Sequence, residues 1–438
     1  MLLSFEFSNF RSFVGDAELH ATTRALRTNV PRTGESWREM IETAVAIYGP
    51  NASGKTTLLD AIRALAVSVR NPGDGAVFQP SKQGRREDLT KYRVNYVSEG
   101  VRYEYQVSAA HWGIQHEALF SYPKGSRRRL FERNQESAET EMTVVKGSSL
   151  TGPTREVQKT TRPHMLLLAV ALQYAHPQLT EAASGLALGG GIDHLSFAQM
   201  QDASFLHRVV GEMVNAPDVQ EPLVTALLKA GDLGLEGVDI KKDRMPPEIV
   251  EKFLRMVEVL SEGDGSKEQV AAEINDLHEV LVFRHQGSDG ETFDLGLEHE
   301  SSGTKTWLAV SWNALNALRK GSVLLVDELD ASLHPEMVRY IVELFQSEEI
   351  NSRGAQLIFT THDVSLLGNA PTRLLEPSSV WFVEKDRSGV SELFSLDEFD
   401  QRSGNNNQRR YLAGQFGALP QVDESLLLRH VNTVAWGG

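Results

Sequence analysis

Ala44-Val45-Ala46-Ile47-Tyr48-Gly49-Pro50-Asn51-Ala52-Ser53-Gly54-Lys55-Thr56-Thr57-Leu58-Leu59 is an apolar run, a glycine turn and the opening of a helix in direct succession. The apolar run Ala44 to Tyr48 reads as a buried strand. Leu58, Leu59, Ile62 and Leu65 recur at helical spacing, and Asn71-Pro72-Gly73 supplies the stop. Between strand and helix, Gly49 to Thr56 matches the phosphate-loop pattern in full. The chemistry requires those residue types. Glycines let backbone N–H groups turn inward around phosphates, and the helix N-terminus adds a favourable dipole. Lys55 reaches the β- and γ-phosphates of a nucleotide, and Thr56 offers a hydroxyl to Mg²⁺. Asn51, Ala52, Ser53, Gly54, Lys55, Thr56 and Thr57 are therefore the expected cradle for ATP.

A second motif supplies what this loop lacks. Val323-Leu324-Leu325-Val326 is an apolar strand that ends on the adjacent carboxylates Asp327 and Glu328. Asp327 is suited to hold Mg²⁺, and Glu328 to orient and deprotonate the attacking water of a phosphoryl transfer.

Outward from these motifs the pattern is strand–helix alternation. A helix from Gly303 to about Leu318 leads to the Val323 strand, then to a helix from Pro335 and a strand from Gln356 to Thr361. That order predicts a parallel sheet covered by helices. Between Asn95 and Phe131, alternating β-formers such as Val101, Tyr103, Tyr105 and Val107 predict an antiparallel sheet. From about Pro163 to His285 the pattern reads as helical, best seen at Ile249, Phe253, Met256, Val257 and Leu260 and again at Val270, Ile274 and Leu277. No heptad pattern is sustained there, so a compact lobe is expected rather than a long coiled coil. Strand alternation resumes at Val280, Val282, Phe293, Leu295 and Leu297. Gly404-Asn405-Asn406-Asn407 reads as a loop.

With these motifs in place, a resemblance emerges. Glu300-Ser301-Ser302-Gly303-Thr304-Lys305, set before a helix, resembles the signature motif of ABC-type ATPases. Leu329-Asp330-Ala331-Ser332-Leu333-His334-Pro335 resembles their D-loop, and Thr360-Thr361-His362-Asp363 their switch histidine. Asn9-Phe10-Arg11-Ser12-Phe13 is similar to the opening of the RecF and SMC branch. Trp381 to Lys385 and Tyr411 to Pro420 resemble C-terminal features of the ABC-like ATPases of abortive-infection and phage-defence operons, the RloA or AbiL-like group.

The resemblance implies a P-loop NTPase of ABC type, an α/β fold with a mixed sheet covered by helices, an antiparallel β lobe and an inserted compact helical lobe. It implies that Ser302 and Gly303 of one subunit close over ATP held by another, that His362 contacts the γ-phosphate, and that Arg11 neighbours the phosphates. The signature lacks the second glycine of transporters, which turns the reading away from transport. The glutamine that usually assists Mg²⁺ binding has Gln173 as its candidate. The expected domains are 1–160, the N-terminal part of the ATPase core; 161–285, a helical insertion; 286–373, the C-terminal part of the core; and 374–438, a docking or regulatory segment. Expected partners are a second copy or a higher homo-oligomer, an effector nuclease on another chain, and DNA through basic loops, with no membrane. A RecF- or SMC-like DNA-repair ATPase is the alternative. A GTPase switch is disfavoured because no Asn-Lys-x-Asp guanine-reading motif is present.

Composition narrows the setting. The chain has 438 residues, 41% hydrophobic and 24% charged, which is ordinary for a globular protein with room for more than one domain. It has no cysteine, so disulfides and thiolate metal sites are excluded, as fits a reducing cytoplasm. Met1 to Phe7 alternates as a strand does and lacks the form of a signal peptide. No apolar run approaches the roughly 20 residues that span a bilayer. A net charge of −15 opposes bulk attraction to nucleic acid. Lys82 to Arg93 and Lys124 to Arg133 are local basic runs, read either as solvated loops or as a nucleic-acid contact.

Overall fold

The computed structural model describes residues 1–26, 28–85, 87–215, 221–231, 234–243, 278–288, 290–369, 372–400 and 405–420. The helical pattern expected at Ile249 to Leu260 and Val270 to Leu277 lies outside the described residues. Two compact units are present, one of residues 1–195, 314–330 and 334–438 and one of residues 196–313 and 331–333.

Within the first unit, the described strands form two sheets. One is antiparallel throughout: β1 (Leu2–Phe10), β2 (Phe13–His20), β4 (Thr90–Ser98), β5 (Val101–Ala110), β6 (Gly113–Tyr122), β7 (Arg128–Asn134) and β8 (Thr143–Lys146), in the order β2-β1-β4-β5-β6-β7-β8. The other has the order β16-β15-β3-β14-β13-β9. Its members are β3 (Ala44–Tyr48), β9 (Ile192–Leu195), β13 (Val323–Val326), β14 (Gln356–Thr360), β15 (Val380–Lys385) and β16 (Ser391–Ser395). All its pairings are parallel except the edge hairpin of β15 with β16. The fold is α/β with one mixed and one antiparallel sheet.

Helix α1 (Lys55–Arg70) packs between these layers, in contact with β1 of one sheet and β9 of the other. Its buried face is Leu58, Leu59, Ile62, Leu65 and Val69, at helical spacing. Asn71 closes it in extended conformation, its N–H donating to Val67 O, where the following Pro72-Gly73 ends the helical pattern. Short helices α2 (Thr154–Thr160), α3 (Leu167–Gln173) and α4 (Leu179–Ser184) pack nearby. The buried carboxylate of Glu117 anchors the start of α3 by accepting the N–H groups of Leu167 at 2.7 Å and Leu168 at 2.9 Å, and it pairs with the fully buried Arg133 at 3.3 Å.

The second unit carries α5 (Phe197–Gln201), α6 (Ala203–Asn215) and α7 (Glu221–Lys229), a three-stranded antiparallel sheet of β10 (Leu235–Asp243), β11 (His278–Gln286) and β12 (Thr292–Gly296), and the N-terminal part of α8 (Ser302–Lys320). Its core includes Trp307, whose ring N–H donates to Leu227 O at 3.1 Å.

Two expectations change here. The stretch from Pro163 to His285 is not continuously helical, because β9, β10 and most of β11 fall within it. β9 has only four residues, too few for a periodic signal, and it exists because β13 pairs with it. The described part of the stretch after Leu374, expected as a docking or regulatory segment packed on the core, contributes strands to the core sheet itself. β15 pairs with β3, the strand that feeds the phosphate loop, at Val380↔Ala46 through Phe382↔Tyr48. Of the aromatics in this segment, Trp381, Phe382, Tyr411 and Phe416 are buried at 5% exposure or less, and Phe394 is half-buried. Phe382 stacks on both Tyr411 and Phe416. Helix α9 (Pro335–Gln346) begins with proline in its first turn, and α10 (Asn407–Leu412) carries Tyr411. Among the described residues no helix is long and apolar enough to cross a membrane.

Candidate functional site

The site forms at the carboxyl ends of β3, β13, β14 and β15, the edge of a parallel sheet where loops are free to converge on a ligand. From β3 the chain enters Gly49 at φ +154°, passes Ala52 at φ +62° and reaches Gly54 at φ +119°, which starts α1 without a side-chain cap. The first-turn N–H groups of α1 have no intrahelical acceptor by geometry and point into the loop. A Cβ on Gly49 would lie 2.3 Å from Val383 O, and one on Gly54 would lie 2.6 Å from Ser391 Oγ, so both positions need glycine for space as well as for conformation.

A cavity of about 370 Å³ is lined by Asn51, Ala52, Ser53, Gly54, Lys55, Thr56, Thr57, Glu328 and Lys385. Lys55 is buried, and its ammonium donates to Gly49 O at 2.8 Å and Pro50 O at 3.2 Å. It also lies 3.2 Å from His362 Nε2. With Lys55 charged, Nε2 is the acceptor and the ring proton sits on Nδ1. Burial lowers the Lys55 pKa, opposed by the field of Asp327, Glu328 and Asp330.

Thr56 Oγ1 lies 2.9 Å from Asp327 Oδ2, which brings the loop hydroxyl and the β13 carboxylate together. Thr360, at the end of β14, is fully buried; its hydroxyl donates to Asp327 Oδ1 at 2.7 Å and accepts the Glu328 N–H at 2.7 Å. Glu328 has φ +57° and an exposed side chain on the cavity. A non-glycine residue held left-handed costs on the order of 1–2 kcal/mol, and here it turns the carboxylate away from β13 toward the loop. Asp330 accepts the His362 N–H at 3.1 Å and so fixes the start of that loop.

The donors fit Mg²⁺. A hydroxyl and a carboxylate, both hard oxygen ligands, already meet at Thr56 and Asp327, and the remaining coordination of this ion is commonly water and phosphate oxygen.

Glu328, His362, Asp327, Lys55 and Thr56 are thus gathered in one place. Arg11 is not among them. Its guanidinium pairs with Asp60 on α1, donates to Gln79 at 2.9 Å and does not line the cavity. Gln173 ends α3 with an exposed side chain and lines no part of the cavity. Ser302 and Gly303 lie in the second unit. Ser302 opens α8 with an exposed side chain, Ser301 Oγ accepts the Thr304 N–H at 3.0 Å, and a Cβ on Gly303 would lie 2.9 Å from Ser332 O of the D-loop segment. His334 caps α9, its Nδ1 accepting the Glu336 N–H at 3.3 Å.

Several residues escaped the sequence reading. Thr360 stood inside a quoted motif, but nothing marked its hydroxyl as the link between Asp327 and Glu328. Ser391 Oγ lies 2.5 Å from Ser53 O and 2.8 Å from Ser12 Oγ, clamping the loop from β16. His194 on β9 has its pKa lowered by burial and by Arg63, with Asp60 and Asp327 acting in the opposite direction. No local pattern announces any of these. Within the basic runs, Arg93 pairs with Glu6, Arg127 with Glu104 and Arg129 with Glu132.

Residues 44–157 and 217–368, well over half of the chain, match the family model described as "AAA domain, putative AbiEii toxin, Type IV TA system". No curated protein is significantly similar. Among solved structures, the SMC head domain from Thermotoga maritima aligns over 90% of this chain and 98% of its own at 14% identity and a TM-score of 0.42. The Smc head domain from Pyrococcus furiosus, solved with an extended coiled coil and bound to the C-terminal domain of ScpA, aligns over 91% and 97% at 14% identity and a TM-score of 0.37. The Smc head domain with a coiled coil and joint from Pyrococcus yayanosii aligns over 94% and 99% at 13% and 0.36.

Proposed function

The chain belongs to this AAA-domain family, and from that premise we propose that it binds ATP with Mg²⁺ and hydrolyses it to ADP and phosphate. The observation that carries the reading is the meeting of Thr56 with Asp327 at 2.9 Å across elements far apart in sequence, with the neighbouring Lys55 ammonium 3.2 Å from His362 beyond β14. Lys55 and the loop N–H groups bind the β- and γ-phosphates, and Thr56 and Asp327 are the residues that hold Mg²⁺. Bound there, the ion offsets phosphoryl charge as a Lewis acid. Glu328 orients the attacking water and takes its proton, and His362 contacts the γ-phosphate.

The finer reading is a composite site. Ser302, exposed, and Gly303, half-buried, at the N-terminus of a long helix form an anion site that a second copy completes by bringing its own bound nucleotide. ATP then joins two subunits, hydrolysis releases them, and this cycle gates an effector on another chain. The family description, with its toxin and type IV TA wording, supports placing that cycle in a defence operon; that the operon is of the RloA or AbiL-like kind and the effector a nuclease is what the sequence resemblance implies. The DNA-repair alternative rested on basic loops, whose arginines are largely paired.

The direct experiment compares hydrolysis by the unaltered chain and by Glu328→Gln. Mg²⁺-dependent phosphate release by the first and its loss in the second, with binding retained, is the expected result; equal rates in both overturn the assignment of the base.

A further inference from the structure

The protein carries a net charge of −15, and a nucleoside triphosphate is itself strongly anionic, so the site has to supply cations locally. Among the described residues lining the phosphate-loop cavity, the charged ones are Lys55, Glu328 and Lys385. Lys55 is accounted for by the loop pattern. Lys385 is not: it comes from the far end of the chain, on β15, and nothing in the phosphate-loop chemistry calls for it.

Its placement is specific. Lys385 also lines a second cavity, of about 820 Å³, whose wall includes Gly49, Pro50, Asn51 and His362. One lysine therefore borders both the space in front of Glu328 and the space in front of His362. In the proposed reading of the site these are the two groups that face the terminal phosphate and the water that attacks it. Its side chain is exposed, and among the described residues it has no ion-pair partner.

The support is rigid. β15 runs parallel to β3, so its carboxyl end emerges beside the loop, and Val383 O sits where a Gly49 Cβ would be. Lys385 is directly across the hairpin from Ser391, whose hydroxyl holds Ser53 O at 2.5 Å. The turn beyond is knitted by Asp386, which accepts the Val390 N–H at 2.8 Å and the Ser388 hydroxyl at 2.6 Å, and Gln83 donates to Ser388 O at 2.5 Å. A flexible side chain on a fixed hairpin spans a short gap without the hairpin moving.

We propose that Lys385 is a second phosphate-binding cation, reaching the terminal phosphate of ATP from the end of β15 beside the loop. The inference rests on the reading of the site as an ATP site and adds to it a residue that separates triphosphate from diphosphate. Lys55 serves both nucleotides because it also reaches the β-phosphate. Lys385 serves only the one that carries a third phosphate.

The test is equilibrium binding of labelled ATP and labelled ADP, with Mg²⁺, to the full chain and to Lys385→Ala, Lys385→Arg and Lys55→Ala, each checked by thermal unfolding. A charge-assisted contact to the terminal phosphate predicts that Lys385→Ala weakens ATP roughly 10- to 100-fold while ADP changes little. Lys385→Arg restores most of the difference, and Lys55→Ala weakens both nucleotides. An unchanged ratio of ATP to ADP affinity in Lys385→Ala overturns the proposal, whether both affinities hold or both fall together. Failure of the unaltered chain to bind either nucleotide overturns the underlying reading of the site, and this inference with it.

Discussion

Thr360 and Asp327 are joined by a 2.7 Å hydrogen bond between the ends of two adjacent parallel strands, and the same Thr360 oxygen accepts the backbone N–H of Glu328. One buried hydroxyl thereby sets the orientation of the carboxylate proposed to hold Mg²⁺ and the backbone of the residue proposed as the base. Thr360→Val keeps the shape and removes both bonds. Leaving the Glu328 N–H and one Asp327 oxygen without this partner predicts a loss of about 1–3 kcal/mol in stability. A higher Mg²⁺ concentration should be needed for nucleotide binding. Urea unfolding and a Mg²⁺ titration of ATP affinity measure the two effects, and a variant unchanged in both shows that Thr360 is only filler.

Lys55→Ala should abolish ATP binding, since the loop loses the flexible cation that reaches the β- and γ-phosphates. It should not unfold the chain, because burial already disfavours the charged ammonium. The sign of that shift gives a pH dependence. A pKa lowered in the folded state means that the unfolded chain binds more protons in the window between the lowered value and the ordinary lysine value. Across that window the unaltered protein should gain stability relative to Lys55→Ala as pH rises. Denaturation curves of both proteins at several alkaline pH values check it, and a gap that widens in favour of Lys55→Ala contradicts the shift.

Glu328→Gln keeps a hydrogen bond to water but cannot take the proton, so turnover should fall by roughly 10²- to 10⁴-fold with ATP binding retained. If Ser302 and Gly303 close on the nucleotide of a second copy, this variant should accumulate as an ATP-bound dimer, because binding favours closure and hydrolysis releases it. Light scattering with and without ATP and Mg²⁺ reads the mass. A monomer that stays monomeric refutes the composite site. If the nucleotide-free protein is already dimeric, undiminished ATP-dependent closure in Glu328→Gln combined with Ser302→Arg does so.

Truncation before Trp381 should destroy the fold rather than release a regulatory segment. It deletes β16 and nearly all of β15 from the sheet that holds the phosphate loop, together with the buried side chains of Trp381, Phe382 and Val383. Each is worth about 1.5–3 kcal/mol of burial, against a total stability for a typical domain of roughly 5–15 kcal/mol. The expected outcome is loss of cooperative thermal unfolding. A truncated chain that still melts cooperatively and binds ATP would restore the docking-segment reading.

The amino-acid sequence by itself determined the parts of this site whose chemistry is local. Gly49 to Thr57 is legible because one short stretch carries the strand, the left-handed turn and the helix start that a phosphate loop needs. Asp327 and Glu328 are legible because an apolar strand delivers them together. The bounds of β3 and β13 match their reading because each is an unbroken apolar run, and the helix that follows the loop matches because it is long enough to show its period. What only the tertiary structure decided is everything that depends on pairing between distant segments. β9 has four residues and no period of its own, and it is a strand because β13 offers it a partner. The aromatics of β15 look like a surface until β3 pairs with it and Tyr411 and Phe416 cover Phe382. Arg11 follows β1 as the resemblance expects, yet Asp60 and Gln79 draw its guanidinium aside. Thr360, Ser391 and Lys385 are common residues with no motif around them; Thr360 and Lys385 enter the site at the carboxyl ends of parallel strands and Ser391 at the start of the antiparallel β16 paired with β15, which no local pattern encodes.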